Sequence, residues 1–153
     1  MAITGMTTFL WFDDQALEAA TFYADLFGGK VGNVSRYQSD AQQPKGAVLT
    51  VDFELFGRPF SALNGGPLFQ HSEAISFQVH VETQEDVDCY WDAIVADGGA
   101  EGNCGWCKDR WGVSWQIIPH ALGAALSNPD PAAAQRAFEA MMQMRKIVIA
   151  ELA

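Results

Sequence analysis

Cys104-Gly105-Trp106-Cys107 sets two thiols at a C-x-x-C spacing, the first feature of this sequence that could do chemistry. The spacing suits a redox dithiol or half of a zinc site. A redox pair works at a helix N-terminus, where the dipole lowers a thiol pKa, but these residues fall in a run predicted as a strand over 102–108. Residues three apart on a strand point to opposite faces. No second Cys or His pair is available to complete a zinc site. The two thiols therefore read as independent, with Cys104 facing a pocket and Cys107 packing outward. Cys89 reads as core or surface of a helix. His71, His80 and His120 lie in three segments at no ligand spacing and read as surface or half-buried side chains.

Other constellations are weaker. Asn64-Gly65-Gly66-Pro67 could cradle an anion on its backbone N–H groups, but reads better as a tight connection. Gly28-Gly29-Lys30-Val31-Gly32 lacks the strand-then-helix context of a phosphate loop. No Ser–His–Asp order with a nucleophile turn is visible. Strand alternation puts Ser114 with Gln116 on one face and Ser76 with Gln78 on another, while Asn64 closes a strand. Trp11, Trp106 and Trp115 could line a pocket or fill a helix-facing core, and core packing is the expectation for each.

The elements that must position these residues repeat. A strand over 7–12 leads to Asp13-Asp14, either of which could cap a helix over 15–27. That helix carries Leu17, Ala20, Tyr23, Ala24 and Phe27 at helical spacing. Gly28-Gly29 stops it, since glycine takes the left-handed cap without a Cβ penalty. Strands follow over 31–37, 46–54 and 59–63, the last two joined at Phe56-Gly57-Arg58. The pattern restarts with a strand over 74–81 and a helix over 82–96 bearing Val87, Tyr90, Trp91 and Ile94. Gly98-Gly99 ends that helix, and strands over 102–108 and 112–119 flank the turn Asp109-Arg110-Trp111-Gly112. The order of strand, helix with an aromatic pair, double glycine and strands occurs twice. Several strands run on without helices between them, unlike a doubly wound α/β fold. In the tail, Asn128-Pro129-Asp130-Pro131 is a helix start, with Asp130 as cap and Pro131 at the first helical position. Phe138, Met141 and Met142 give this helix an apolar face, and Ile147-Val148-Ile149 reads as an extended arm that docks on the body or a second subunit.

Composition narrows the class. With 153 residues, 49% of them hydrophobic and 12% aromatic, the chain can pack a core and fits one domain. The net charge of −10 leaves no basic stripe for a phosphate backbone and disfavours anionic membranes. No apolar run approaches the roughly 20 residues that span a bilayer. The start of the sequence does not read as a signal peptide, so the expected location is the cytoplasm, with reduced thiols.

Taken as a set, several of these motifs resemble the PhnB-like branch of the vicinal-oxygen-chelate superfamily, whose members are often labelled 3-demethylubiquinone 3-methyltransferase-like. They include Phe9-Leu10-Trp11-Phe12, Ala62-Leu63-Asn64-Gly65-Gly66-Pro67, Ile75-Ser76-Phe77-Gln78-Val79, and Asp88 with Tyr90-Trp91. Cys104-Gly105-Trp106, the run from Lys108 to Gln116, and the Ala140-Met141-Met142 tail complete the set. The resemblance implies an α+β fold of two βαβββ modules forming a cupped mixed sheet, about 5–66 and 72–120, usually in a homodimer. A C-terminal helix and arm over 128–153 would follow. Catalytic members of the superfamily bind a divalent metal through His, Gln and Glu. Aligned on Phe22-Tyr23, the first-strand ligand position falls near Thr8, and the fifth-strand one between Ala74 and Phe77. The last strand carries Gln116 where a Glu is usual, four residues after the glycine of its turn. A metal needs several hard or borderline ligands, so neither metal nor other cofactor is predicted.

The sequence thus predicts a metal-free protein binding a small organic molecule through Thr8, Trp11, Asn64, Ser76, Gln78, Cys104, Trp106, Ser114 and Gln116, with no nucleic acid or membrane partner. An enzyme of the same superfamily, using Cys104 or Gln116, is the alternative, and a dimer serving as a structural partner is the third. The methyltransferase label is not favoured, because no glycine-rich loop follows a strand and opens a helix as adenosyl-cofactor sites require.

Overall fold

The computed structural model describes residues 2–152. The backbone divides into two compact units, one ending at Gln70 and one beginning at His71.

In the first unit, β1 (Thr8–Phe12), α1 (Ala16–Phe27), β2 (Lys30–Arg36), β3 (Val48–Leu55) and β4 (Arg58–Asn64) follow in order. The sheet runs β1-β4-β3-β2, with β1 parallel to β4 and the other pairs antiparallel. Leu10, Phe12, Val51, Phe53, Leu55, Phe60 and Ala62 are each at most 7% exposed and, outside the buried Ser61 on β4, alternate with less buried neighbours. They share one face, the pattern of a half-buried sheet. Ala16, Ala19, Ala20, Tyr23, Ala24 and Phe27 form the buried side of α1. Three of its four small residues here sit a turn apart, which lets the helix approach the sheet closely. Tyr23 meets Phe53 at 6.1 Å, and Phe53 stacks on Phe60 at 5.1 Å. Leu17, expected on the buried side, is 37% exposed. Gly28 takes the left-handed conformation (φ 67°) and ends α1, as expected.

The second unit repeats the first: β5 (Phe77–Val81), α2 (Gln84–Val95), β6 (Ala100–Glu101), β7 (Trp106–Lys108) and β8 (Ser114–Pro119). Its sheet runs β5-β8-β7-β6, again with one parallel pair followed by antiparallel pairs. The two βαβββ modules therefore share topology, and each sheet is open in its strand order. Val87, Trp91 and Ile94 are the buried residues of α2, whereas Tyr90 is only half-buried. The helix begins later than expected because Thr83 and Asp86 close a reciprocal capping box. It also ends earlier, at Val95, and a 3-10 turn over Ala96–Gly98 precedes Gly99.

Two strand expectations are corrected. The run 102–108 is no single strand but a hairpin, with β6 and β7 on either side of Gly102-Asn103-Cys104-Gly105. Trp106 N–H closes the turn on Asn103 O, and Cys104 (φ 56°) and Gly105 (φ 84°) both have left-handed backbones. Such a turn matches the twist of a hairpin, but cysteine seldom occupies it. The expected 74–81 strand starts only at Phe77.

After β8 comes α3 (His120–Leu126), absent from the sequence expectation, and then α4 (Pro131–Met141). Asp130 caps α4 by accepting Ala132 N–H at 3.0 Å, with Pro131 in the first turn. The expected apolar face of α4 is largely outward: Phe138 is 47% and Met142 50% exposed, and Ala137 is the buried residue. The arm does dock, on its own unit. Ile147, Met144, Leu122 and Leu152 form a buried cluster. Gln84 clamps the arm by donating to Ile147 O and accepting from Ile149 N–H. Cys104 and Gly105 N–H donate to Met144 O and Arg145 O. Among the described residues no helix is long and apolar enough to cross a membrane.

Candidate functional site

Each sheet has a helix-facing side and an opposite side, and β pairing assigns every site residue to one of them. On β8, Trp115 and Ile117 are buried with the helix-facing set, which leaves Ser114, Gln116 and Ile118 on the opposite side. On β7, Cys107 is 2% exposed on the helix-facing side, and Trp106 and Lys108 lie opposite. Gln116 pairs in register with both Gln78 on β5 and Trp106 on β7. Three predicted residues then form a hydrogen-bonded chain. Gln78 Nε2 donates to Gln116 Oε1 at 2.9 Å, and Gln116 Nε2 donates to Ser76 Oγ at 2.8 Å. Trp106, half-buried beside Gln116, supplies an aromatic wall.

Further along the same face, a cavity of about 260 Å³ is lined by Trp106, Lys108, Ser114 and Glu73, among others. Lys108 pairs with Glu73 across it, and the Lys108 ammonium holds the Glu73 carboxyl below the usual range. Ser114 is 2% exposed, and its Oγ has no hydrogen-bond partner among the described residues.

Cys104 is not on this face. In its turn it sits with Sγ 3.9 Å from Met142 Sδ. Cys107 is a buried thiol whose pKa is pushed up to about 12, first by burial and then by the Asp109 charge. Both observations fit two independent thiols better than a dithiol. Asp109, which the sequence did not single out, organises the β7–β8 turn. Its carboxylate is 3% exposed and accepts Trp111 N–H, Val113 N–H and Trp115 Nε1–H at 2.9–3.0 Å. Trp115 therefore belongs to the core, as expected, whereas Trp106 does not.

In the first unit, the predicted residues separate. Trp11 shares the side of Phe9, Ser61 and Leu63, opposite the helix. Its Nε1 donates to Gly66 O at 2.8 Å, and its ring meets Phe69 edge-on at 5.0 Å. A Cβ on Gly65 would fall 2.2 Å from that ring, so only glycine admits it. Thr8 shares the side of Leu10 and Phe12 and cannot face the same space as Trp11. Asn64 is 3% exposed and committed to the backbone. Its Oδ1 accepts Ala16 N–H at 2.7 Å, its Nδ2 donates to Val48 O, and its own carbonyl accepts the Tyr37 hydroxyl. Asn64 thus caps α1, and the expected caps Asp13 and Asp14 do not: the position before the helix is Gln15, without a side-chain bond. Gly65 and Gly66 N–H donate to Phe12 O and Asp13 O, so these amides are used in connecting strands and form no anion cradle. On the side of Trp11, Ser61 Oγ donates to Asp52 Oδ1 at 2.5 Å.

His80 and His120, distant in sequence, stack at 5.4 Å because β5 and β8 run parallel. They remain exposed. Among the described residues no group of three or more His, Cys, Asp or Glu could hold a metal. The superfamily's ligand positions do not fit one either: Phe9 and Thr8 occupy the first strand, and both ends of the Gln116 amide are engaged by neutral partners.

A family profile described as 3-demethylubiquinone-9 3-methyltransferase matches residues 4–118. No curated protein matches the chain. Among solved structures, a PhnB protein from Bacillus cereus is 31% identical with a TM-score of 0.68, over 76% of this chain and 99% of that one. Protein PA1353 from Pseudomonas aeruginosa is 17% identical with a TM-score of 0.61, over 76% and 98%. The fosfomycin resistance protein FosX from Listeria monocytogenes is 15% identical with a TM-score of 0.53, over 78% and 94%. At these identities the latter two show a shared fold alone.

Proposed function

The chain belongs to the PhnB-like 3-demethylubiquinone-9 3-methyltransferase family, and from that premise we propose that it binds a small organic molecule without a metal. The observation that carries the reading is the chain Gln78–Gln116–Ser76 beside Trp106. Neutral donors and acceptors next to an aromatic wall suit an organic ligand of modest polarity. Gln78 Oε1 and the second hydrogen of each amide are left for that ligand. The proposal includes a homodimer in the cytoplasm, without nucleic acid or membrane partners; the net charge of −10 supports the last two points. Methyl transfer is not proposed. Each sheet has one parallel pair, and neither has the strand, glycine-rich turn and helix of a doubly wound cofactor site.

Native mass spectrometry of the full chain, purified from cells without added metal, tests this. The expected result is a dimer carrying a small organic adduct that survives EDTA and is lost in Gln116→Ala. Stoichiometric metal that leaves together with the adduct on chelation overturns the metal-free reading. An adduct retained by Gln116→Ala overturns the site.

One observation favours a second reading, an enzyme acting on a small organic substrate. Asp52 and Ser61 hold the register positions that Trp106 and Gln116 hold in the other sheet, and their short hydrogen bond could pass a proton. Turnover abolished by Asp52→Asn in a folded protein would support it.

A further inference from the structure

Ser114, which lines the cavity beside Trp106, carries a buried hydroxyl that the fold leaves unused. Ser114 Oγ has no partner among the described residues although the residue is 2% exposed, and buried polar groups in folded proteins are nearly always bonded. Its cross-strand neighbour on the same face is Lys108, whose ammonium is occupied on one side by Glu73. Glu73 itself is a stand-in that can leave: its side chain is 63% exposed, and it lies in the stretch before β5. The other carboxylate at the cavity, Glu101, is already taken by Trp91 Nε1–H and Arg145. Trp106 closes the remaining side with an apolar surface.

We propose that this cavity is a subsite for a small monocarboxylate, whose oxygens accept from Ser114 and Lys108 once Glu73 is displaced. A single ammonium and a single hydroxyl match one negative charge. The one ammonium already balances the Glu73 carboxylate, which stays tethered nearby when displaced and disfavours a dianion such as phosphate. A volume of about 260 Å³ sits near the lower limit of ordinary ligand pockets, so the acid is small, and Trp106 favours a planar one. The inference rests on the small-molecule reading above and assigns its ligand class.

The test is an NMR titration of the isotopically labelled full chain with benzoate, and with benzamide as the neutral isostere. Benzoate is expected to shift the Trp106 indole and the Ser114 and Lys108 amides, and to bind more tightly than benzamide. Ser114→Ala and Lys108→Met should each weaken benzoate about ten-fold, the loss of one charge-assisted hydrogen bond, with the rest of the spectrum unchanged. Lys108→Arg should restore part of the loss and guard against a folding defect. Glu73→Gln, which removes the competitor, should strengthen binding. Benzoate affinity indifferent to Ser114→Ala and Lys108→Met, or equal affinity for benzamide, overturns the proposal; a hydroxyl that merely holds a water would give the first result. Shifts confined to Gln78 and Gln116 refute the carboxylate subsite while leaving the binding face intact.

Discussion

Replacing Asn64 with alanine should destabilise the protein through α1 and leave ligand binding in the second unit untouched. Asn64 joins three parts of the first unit. It accepts the Ala16 N–H at the start of α1, donates to Val48 O on β3, and is itself the last residue of β4. Loss of a helix cap costs about 0.5–2 kcal/mol. The truncation also strands Val48 O, which is partly buried, at about 1–3 kcal/mol for such a group. The combined expectation is roughly 2–4 kcal/mol. For a chain of this length that lowers Tm by roughly 5–15 °C. Asn64→Asp should fall between, because it keeps the acceptor at the helix N-terminus but cannot donate to Val48 O. Urea unfolding followed by circular dichroism measures the loss, and amide hydrogen exchange should localise it to the first turn of α1. A stability change within about 0.5 kcal/mol, accompanied by lost ligand binding, would refute the structural role and return Asn64 to the binding site.

Two further outcomes follow from buried groups in the second unit. Asp109→Asn should lower stability by about 2–4 kcal/mol, because an amide nitrogen would then face the Trp115 Nε1–H donor. Asp109→Asn combined with Trp115→Phe should lose less than the sum of the single changes, measured by urea unfolding of all three variants. Cys107 should resist a thiol reagent at pH 8 in the folded protein while the exposed Cys89 reacts, as a colourimetric thiol titration before and after denaturation will show. Its raised pKa also carries a sign. The folded state keeps the proton that the unfolded thiol loses near 9.0, so this group's contribution to stability declines from pH 9.0 to about 12. Cys107→Val should flatten that decline.

Features governed by local backbone chemistry were legible. The left-handed cap at Gly28 and the Asp130-Pro131 helix start depend on a few adjacent residues, and both sit where expected. The twofold repeat was legible for the same reason, since each module carries its own alternation and punctuation. The β6–β7 hairpin was missed because its first left-handed position is filled by Cys104, a residue that gives no turn signal. The short α3 was missed because His120–Leu126 has too few residues for its period to show.

The C-x-x-C spacing met at the start shows the division. By itself the sequence determined the twofold order of strand, helix and strands and the expectation of independent thiols, because these follow from residue types, spacing and local propensity, and its motifs carried the family resemblance that implied βαβββ modules. Only the tertiary structure decided which side of each strand faces its helix, since alternation gives two sets of residues and packing chooses between them. That choice put Thr8 with the core side and Trp11 opposite, and turned Asn64 from a ligand candidate into a helix cap. It also joined Gln78, Gln116 and Ser76 through hydrogen bonds that span 38 and 40 residues. The unused hydroxyl of Ser114 could be found in no other way, because a missing partner is a property of the packed neighbourhood and not of the residue.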